Sequence, residues 1–368
     1  MADRICILVL GMHRSGTSAL ARVLGLLGCQ AAEHLLEANE GNIRGFWESR
    51  PIMELNNRIL KSAGSEWFDC QRFNDNWYKS VIVGKFKKEA KSIIDKEFGE
   101  ADLFVIKDPR ISLIFPFWRE VLQEMGVDVA PVLTLRHPLE VAASLSHRDQ
   151  FQISHVLLLW LRYTLEAERC TREVARAFTS YEGLLEAPGD FIRQSQEMLG
   201  VSWPSNSPRI LAEIEEFLSP ALRNHVQAST RQMRLPVAQD WIRTTFEIFS
   251  RWARQDVHEE DFQILDKIYA DFDTGLIDFG RLVDDNSQLS LLSRQLSGEI
   301  DLLKQSLETA NGAESAKLIM ELKEKVRQLE GQRIALETKN AALEKGVVKL
   351  QRELGERQAG ELREARRS

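Results

Sequence analysis

The sequence predicts an α/β protein of three layers, a mainly parallel sheet between helices, followed by a C-terminal helical coiled coil. Short β-branched runs alternate with helix-patterned segments in the first half of the chain. Strands joined by helical crossovers pair in parallel and are covered on both faces. Every aromatic residue, the eight tryptophans included, precedes position 285. Beyond that point leucines at 322, 329, 336, 343 and 350 recur with a heptad period. These shifts divide the 368 residues into a globular domain at 1–284, its second half mostly helical, and a coiled-coil tail at 285–368.

The run ICILVL (5–10) predicts a buried strand, and Ser18–Leu27 the helix after it. DLFVIK (102–107) and APVLTLR (130–136) predict two more strands, the latter feeding the helix PLEVAASLS. FTSYEGLL (178–185) predicts a fourth strand running into a turn. The apolar run 156–161 is flanked and interrupted by His155, Trp160 and Arg162, which marks a core helix rather than a membrane span.

With leucine at d, the tail places Val326, Arg333, Asn340, Val347 and Leu354 at a. Leucine at d with valine and one asparagine at a favours a parallel two-stranded coil, because a paired asparagine penalises other registers. Lys325 with Glu330 and Lys339 with Glu344 occupy g and following e positions. The expected partner is a second copy of the chain; the alternative is a lone helix folding back on the domain. A weaker apolar run (Leu289, Leu296, Ile300, Leu303, Leu307) precedes the interruption TANGAES.

Hydrophobic residues make up 43% and charged residues 28% of the chain, with a formal net charge of −7. A general nucleic-acid binder is thereby excluded, and any anionic ligand needs a local basic site. Cys6, Cys29, Cys70 and Cys170 form no CxxC pair and no metal-ligand spacing, so reduced thiols and no metal are expected. Ile5 to Leu10 is too short to span a bilayer and no cleavage site follows, which predicts a cytoplasmic protein without a membrane anchor.

Directly after the first strand, Gly11-Met12-His13-Arg14-Ser15-Gly16-Thr17-Ser18 opens the next helix. Glycines let the backbone turn tightly and present amides to an anion, and the helix N-terminus adds its positive dipole end. Thr17 and Ser18 add hydroxyls, and Arg14 adds a charge with bidentate reach. The architecture is P-loop-like, with one departure. A nucleoside triphosphatase loop reads GxxxxGK[ST]. Here the glycine spacing is kept, but Thr17 stands where the lysine belongs and the charge has moved to Arg14. Such a loop suits a less charged anion than a triphosphate.

A second anion site lies at the end of the third strand, where Leu135-Arg136-His137-Pro138 precedes Ser144 by a fixed spacing. Pro138 fits the first turn of a helix. Arg136 and Ser144 can then grip one phosphate from two sides.

On these residues the chain resembles the sulfotransferase family that uses 3′-phosphoadenosine-5′-phosphosulfate (PAPS), in its bacterial and carbohydrate-type members. GMHRSGTS resembles the 5′-phosphosulfate loop and RHPLEVAAS the 3′-phosphate motif. VIKDPRIS and TSYEGLLEAP are similar to further segments, so the resemblance spans about residues 5–205. It implies that Arg14, Ser15, Gly16, Thr17 and Ser18 hold the 5′-phosphosulfate and that Arg136 and Ser144 hold the 3′-phosphate; His13, inside the loop, can contact the sulfuryl group. It also implies that a sulfuryl group passes to a hydroxyl without metal. Cytosolic small-molecule members carry lysine where Arg14 stands; arginine is the carbohydrate-type choice, which implies a glycan or glycolipid acceptor.

Sulfuryl transfer needs a base for the acceptor hydroxyl. The loop segment 37–60 offers Glu40 and Glu48, and in similar sulfotransferases a glutamate or histidine of this region takes the proton. Glu48 is the preferred base; it can instead cap the helix starting near Pro51. His34 and His155 are further candidates. Lys107, in Lys107-Asp108-Pro109-Arg110, can reach the bridging oxygen and stabilise the leaving phosphate. Asp108 and Arg110 suit a buried structural pair, although Arg110 can also orient a carboxylate or the acceptor. Tyr181 and Glu182 read as architectural. Trp67 and Phe68 fit either a core or a sugar-stacking surface. Two other functions share these motifs. One is a P-loop kinase or nucleotidase, disfavoured by the missing loop lysine, and the other is a non-catalytic scaffold acting through its coil.

Overall fold

A computed structural model describes residues 4–37, 45–149, 151–218, 238–276 and 323–339, with 296, 299, 300, 303, 341 and 342. The sheet holds β1 (Arg4–Leu10), β2 (Leu103–Lys107), β3 (Val127–Leu135) and β4 (Ala177–Ser180), in the order β2-β1-β3-β4, all parallel. Alternation along β1 sends its side chains to opposite faces. Cys6, Leu8 and Leu10 enter one core with α2 (Arg50–Ser62), α3 (Ile82–Phe98), α4 (Ile111–Glu124), α6 (Ile153–Cys170) and α10 (Ala238–Trp252). Ile7 and Val9 enter the other with α1 (Thr17–Leu26), α8 (Pro188–Leu199) and α9 (Pro208–Phe217). Both cores are sealed, for Ile7, Leu8 and Val9 are each 0% exposed. The three-layer α/β reading therefore holds.

In this order β1 and β3 are the neighbours at which crossovers change direction, and ligands of such sheets bind outside the carboxyl ends at that point. The β1–α1 loop and the turn from β3 into α5 (Pro138–Asp149) meet there. Register matters too: Val9 pairs with Lys107, so β2 delivers its terminal lysine beside the loop.

The fourth strand ends at Ser180, where the expected turn takes the form of the short helix α7 (Tyr181–Glu186), capped by the Ser180 hydroxyl, which accepts from the Gly183 amide. The cap of α2 is Ser49, whose hydroxyl accepts from Ile52 N at 3.4 Å, with Pro51 in the first turn. Glu48 is therefore released from capping.

Residues 259–276 are helical, and Asp273 and Tyr269 bind Arg162 and Glu166 of α6. The boundary near 285, and with it Asn340, Leu322, Leu343 and Leu350, lies outside the described residues. Val326 and Leu329 are buried with Ile300, against Leu296 and Leu303, while Lys325 lies 3.8 Å from Glu299. The weaker apolar run of the same chain thus covers one a and one d position, favoured by the high effective concentration of a tethered segment. Among the described residues, no helix is long and apolar enough to cross a membrane.

Leu8→Ala removes apolar volume from the sealed face shared with α4 and α6. A loss of about 2–5 kcal/mol is expected, read as a lower urea midpoint at unchanged slope.

Candidate active site

The β1–α1 loop is shaped by three residues of positive φ: Gly11 (143°), Arg14 (69°) and Gly16 (86°). At Gly16 a Cβ would lie 2.4 Å from Tyr181 Cδ2, and at Gly11 it would lie 2.6 Å from the Thr134 carbonyl oxygen. Both glycines are thus demanded by conformation and by close approach. The Gly11 amide donates to Ser112 Oγ at 3.0 Å and Thr134 Oγ1 to the Ser15 carbonyl at 3.2 Å, which tie the loop to α4 and β3. Helix α1 starts at Thr17 with no side-chain cap, so its first-turn amides have no intrahelical acceptor. Ser15 Oγ and His13 Nε2 are buried without a hydrogen-bond partner among the described residues. Orphaned polar atoms at an uncapped helix start fit an anion.

Charged side chains from three strand ends line the same cleft, including Arg14, Lys107 and Arg136, with Arg148 from α5. Arg14 Nε donates to Ser144 Oγ at 2.8 Å. Arg136 donates to the Arg14 carbonyl at 3.3 Å and to Glu140 at 2.9 Å, and its guanidinium lies 4.7 Å from the Tyr181 ring centre. The two motifs read separately from sequence are therefore bonded to each other through Arg14 and Ser144. Burial, then Arg148 and Arg136, lower the Arg14 pKa.

Lys107 is buried and directs its ammonium at Glu48 Oε1 (2.5 Å), Ser18 Oγ (3.2 Å) and the Phe46 carbonyl (3.2 Å). Ser18 Oγ donates to that carbonyl at 3.1 Å. Lys107 thereby supplies, from the neighbouring strand, a cation at the loop that lacks the triphosphatase lysine. Thr17, in that lysine's place, is buried and lines the cleft.

His13 packs on Trp67 at 4.7 Å and Tyr163 at 5.9 Å between ring centres. Burial, then Arg110, Arg148, Lys107 and Arg14, hold its pKa well below the imidazole range, so it is neutral. His34 lies outside this group: its Nδ1 is 2.7 Å from Glu97 Oε1. His155 belongs to the core, with Nε2 2.8 Å from the Phe68 carbonyl and burial lowering its pKa to about 4. Neither is placed as a base. Phe68 is core, whereas Trp67 is half-buried beside His13. Glu40 lies outside the described residues.

Tyr181, read as architectural, lines the cleft against Gly16 and Arg136. Arg148 escaped the sequence reading altogether. Its signal was its position four residues after Ser144, on one helix face.

Comparison of the chain with protein-family models, with curated proteins and with solved structures gives no match.

The two depressed histidines carry a pH consequence. Neutral in the fold and protonated once unfolded, His155 costs stability as pH falls from about 6.5 to about 4, and His13 acts in the same direction. The slope is on the order of 1.4 kcal/mol per pH unit per histidine. Urea unfolding across that range is expected to show the fall, and His155→Gln to show a shallower one.

Proposed function

We propose that the protein is a PAPS-dependent sulfotransferase that moves a sulfuryl group to a hydroxyl of a carbohydrate or glycolipid. The observation that supports it most is the meeting of an uncapped, glycine-shaped loop, the Arg136–Ser144 pair and the Lys107–Glu48 pair at one switch point. Two anion grips and one acid–base pair are what a phosphosulfate donor and a hydroxyl acceptor require.

In this reading the loop amides, Ser15, Thr17 and Ser18 hold the 5′-phosphosulfate, with Arg14 beside them. Arg136 and Ser144 hold the 3′-phosphate, which separates this donor from other adenine nucleotides. Glu48 takes the acceptor proton as the oxygen attacks sulfur. Lys107 steadies charge on the bridging oxygen, which leaves with the electron pair of the broken S–O bond. No residue in this scheme needs a metal, and Thr17 in place of the loop lysine disfavours a kinase.

The heptad tail is proposed as a homodimerisation element. Sedimentation equilibrium of the full chain is expected to show a dimer; a monomer would leave the intrachain packing of Val326 and Leu329 as its role.

Transfer of label from [³⁵S]PAPS to a glycan and glycolipid panel, in the presence of a chelator, tests the activity. Arg136→Ala is expected to raise the KM for PAPS about 10- to 100-fold, as loss of a charged hydrogen-bonding group predicts. It is also expected to abolish the preference for adenosine 3′,5′-bisphosphate over adenosine 5′-monophosphate. A wild-type protein that neither transfers label nor binds the bisphosphate would sink the reading.

A further inference from the structure

Behind the candidate base runs a buried polar chain that the reaction scheme leaves unused. Trp118 Nε1, on α4, donates to Asn56 Oδ1 at 2.8 Å. Asn56 Nδ2, on α2, donates to Asp108 Oδ2 at 2.9 Å. The other Asp108 oxygen accepts from the Arg110 amide at 3.1 Å and from Arg110 Nη1 at 2.8 Å. Arg110 Nη1 also lies 3.8 Å from Glu48 Oε2. Trp118, Asn56 and Asp108 are each 0% exposed.

Turning the chain into α4 needs only the Asp108 carboxylate on the Arg110 amide. The Arg110 guanidinium adds a second contact to that carboxylate and a charge beside Glu48; removing it alone leaves buried carboxylates uncompensated, which is destabilising. What the arrangement achieves is orientation: hydrogen bonds run in series from Trp118 Nε1 through Asn56 and Asp108 to Arg110 Nη1, while Arg110 Nε is buried without a hydrogen-bond partner among the described residues. The guanidinium stands over the Glu48 oxygen opposite to the one that Lys107 holds.

Lys107 has three N–H donors and three acceptors within reach, among them Glu48 Oε1 and the loop hydroxyl of Ser18. An anion in the loop competes for the same ammonium. Once Lys107 turns to it, Glu48 Oε1 is open to an acceptor hydroxyl, and a carboxylate without a second partner would rotate.

We propose that Arg110 is the positioning residue of Glu48, holding Oε2 while Lys107 exchanges from Oε1 to the bound anion. The inference rests on the sulfotransferase reading. In the step it serves, the acceptor O–H bond breaks and its proton goes to Glu48 Oε1. The acceptor oxygen bonds to sulfur, and the S–O bond to the 5′-phosphate breaks with its electron pair on the phosphate. The proton on Glu48 then passes to solvent.

A kinetic double-mutant cycle tests it, with [³⁵S]PAPS as donor and the full chain throughout. Arg110→Met is expected to lower kcat about 10- to 100-fold, the range for lost orientation of a catalytic group. The KM for PAPS should stay within about threefold of wild type, because Arg110 does not bind the donor. Arg110→Lys should recover part of kcat. The pair Glu48→Gln/Arg110→Met should be no slower than Glu48→Gln alone, since Arg110 acts through Glu48. Additive losses, or a KM that rises as far as kcat falls, overturn the role. Should Arg110→Met fail to fold by thermal melting, Trp118→Phe removes the far donor of the chain. It is expected to lower kcat with KM spared; an unchanged kcat overturns the proposal. A wild-type protein that neither binds adenosine 3′,5′-bisphosphate nor transfers label overturns the reaction and this role together. A wild-type that transfers while Arg110→Met matches it overturns the role of Arg110 alone.

Discussion

Five cationic side chains, Arg14, Lys107, Arg110, Arg136 and Arg148, gather around one cleft of a chain whose net charge is −7. Their mutual repulsion is the constraint on which the surrounding structure depends. Four are countered by a carboxylate, Lys107 by Glu48, Arg110 by Asp108, Arg136 by Glu140 and Arg148 by Asp149, while Arg14 is oriented by the Ser144 hydroxyl. These counter-groups come from α5, from the turn into α4 and from the segment before α2. Helices that otherwise cover the sheet are thus also the source of the charges that keep the cleft from flying apart. Burial first, and the cationic charges after it, hold the His13 pKa down in the middle of the cluster. An anion entering such a cleft meets a potential that the protein has only partly balanced.

The sheet turns that electrostatic problem into a geometry. Parallel pairing of Val9 with Lys107 and of Leu10 with Leu133 brings three carboxyl ends to one level. Lys107 and Arg136 then project from either side of the loop that follows β1. Close approach fixes the rest. Tyr181, at the end of β4, is pressed so near to Gly16 that a single added carbon would collide with it. Position 16 is therefore a contact between the loop and the far strand, and the helix start cannot shift without displacing the ring that lies under Arg136.

Strands β1, β2 and β3 were legible because buried parallel strands read as unbroken apolar runs. The loop was legible because glycine spacing encodes backbone conformation, and two of its three positive-φ residues are glycines. The fourth strand and its turn were legible too, but that the turn is a short helix capped by Ser180 depends on local geometry. Glu48 was ambiguous between base and cap, and only the backbone shows that Ser49 takes the amide instead. The Trp118–Asn56–Asp108 chain was invisible, because its hydrogen-bonded partners lie 52 and 62 residues apart and carry no periodicity. In the tail, the heptads predicted a seam covered by a second copy of the chain. Val326 and Leu329 are matched by Ile300 of the same chain, a choice set by tethering rather than by the pattern.

Where a loop of this kind keeps its cation bears on which bond it can break. A lysine at position 17 would point from the helix start at the terminal phosphates of a triphosphate. Here threonine fills that place, and the ammonium arrives sideways from β2, resting on Ser18 and on a carboxylate. That carboxylate is the group best placed to accept a proton, so cation and base are set one hydrogen bond apart before any ligand arrives. In the proposed transfer the pairing would serve twice: the lysine would neutralise a leaving oxygen, and its turn toward the donor would uncover the carboxylate.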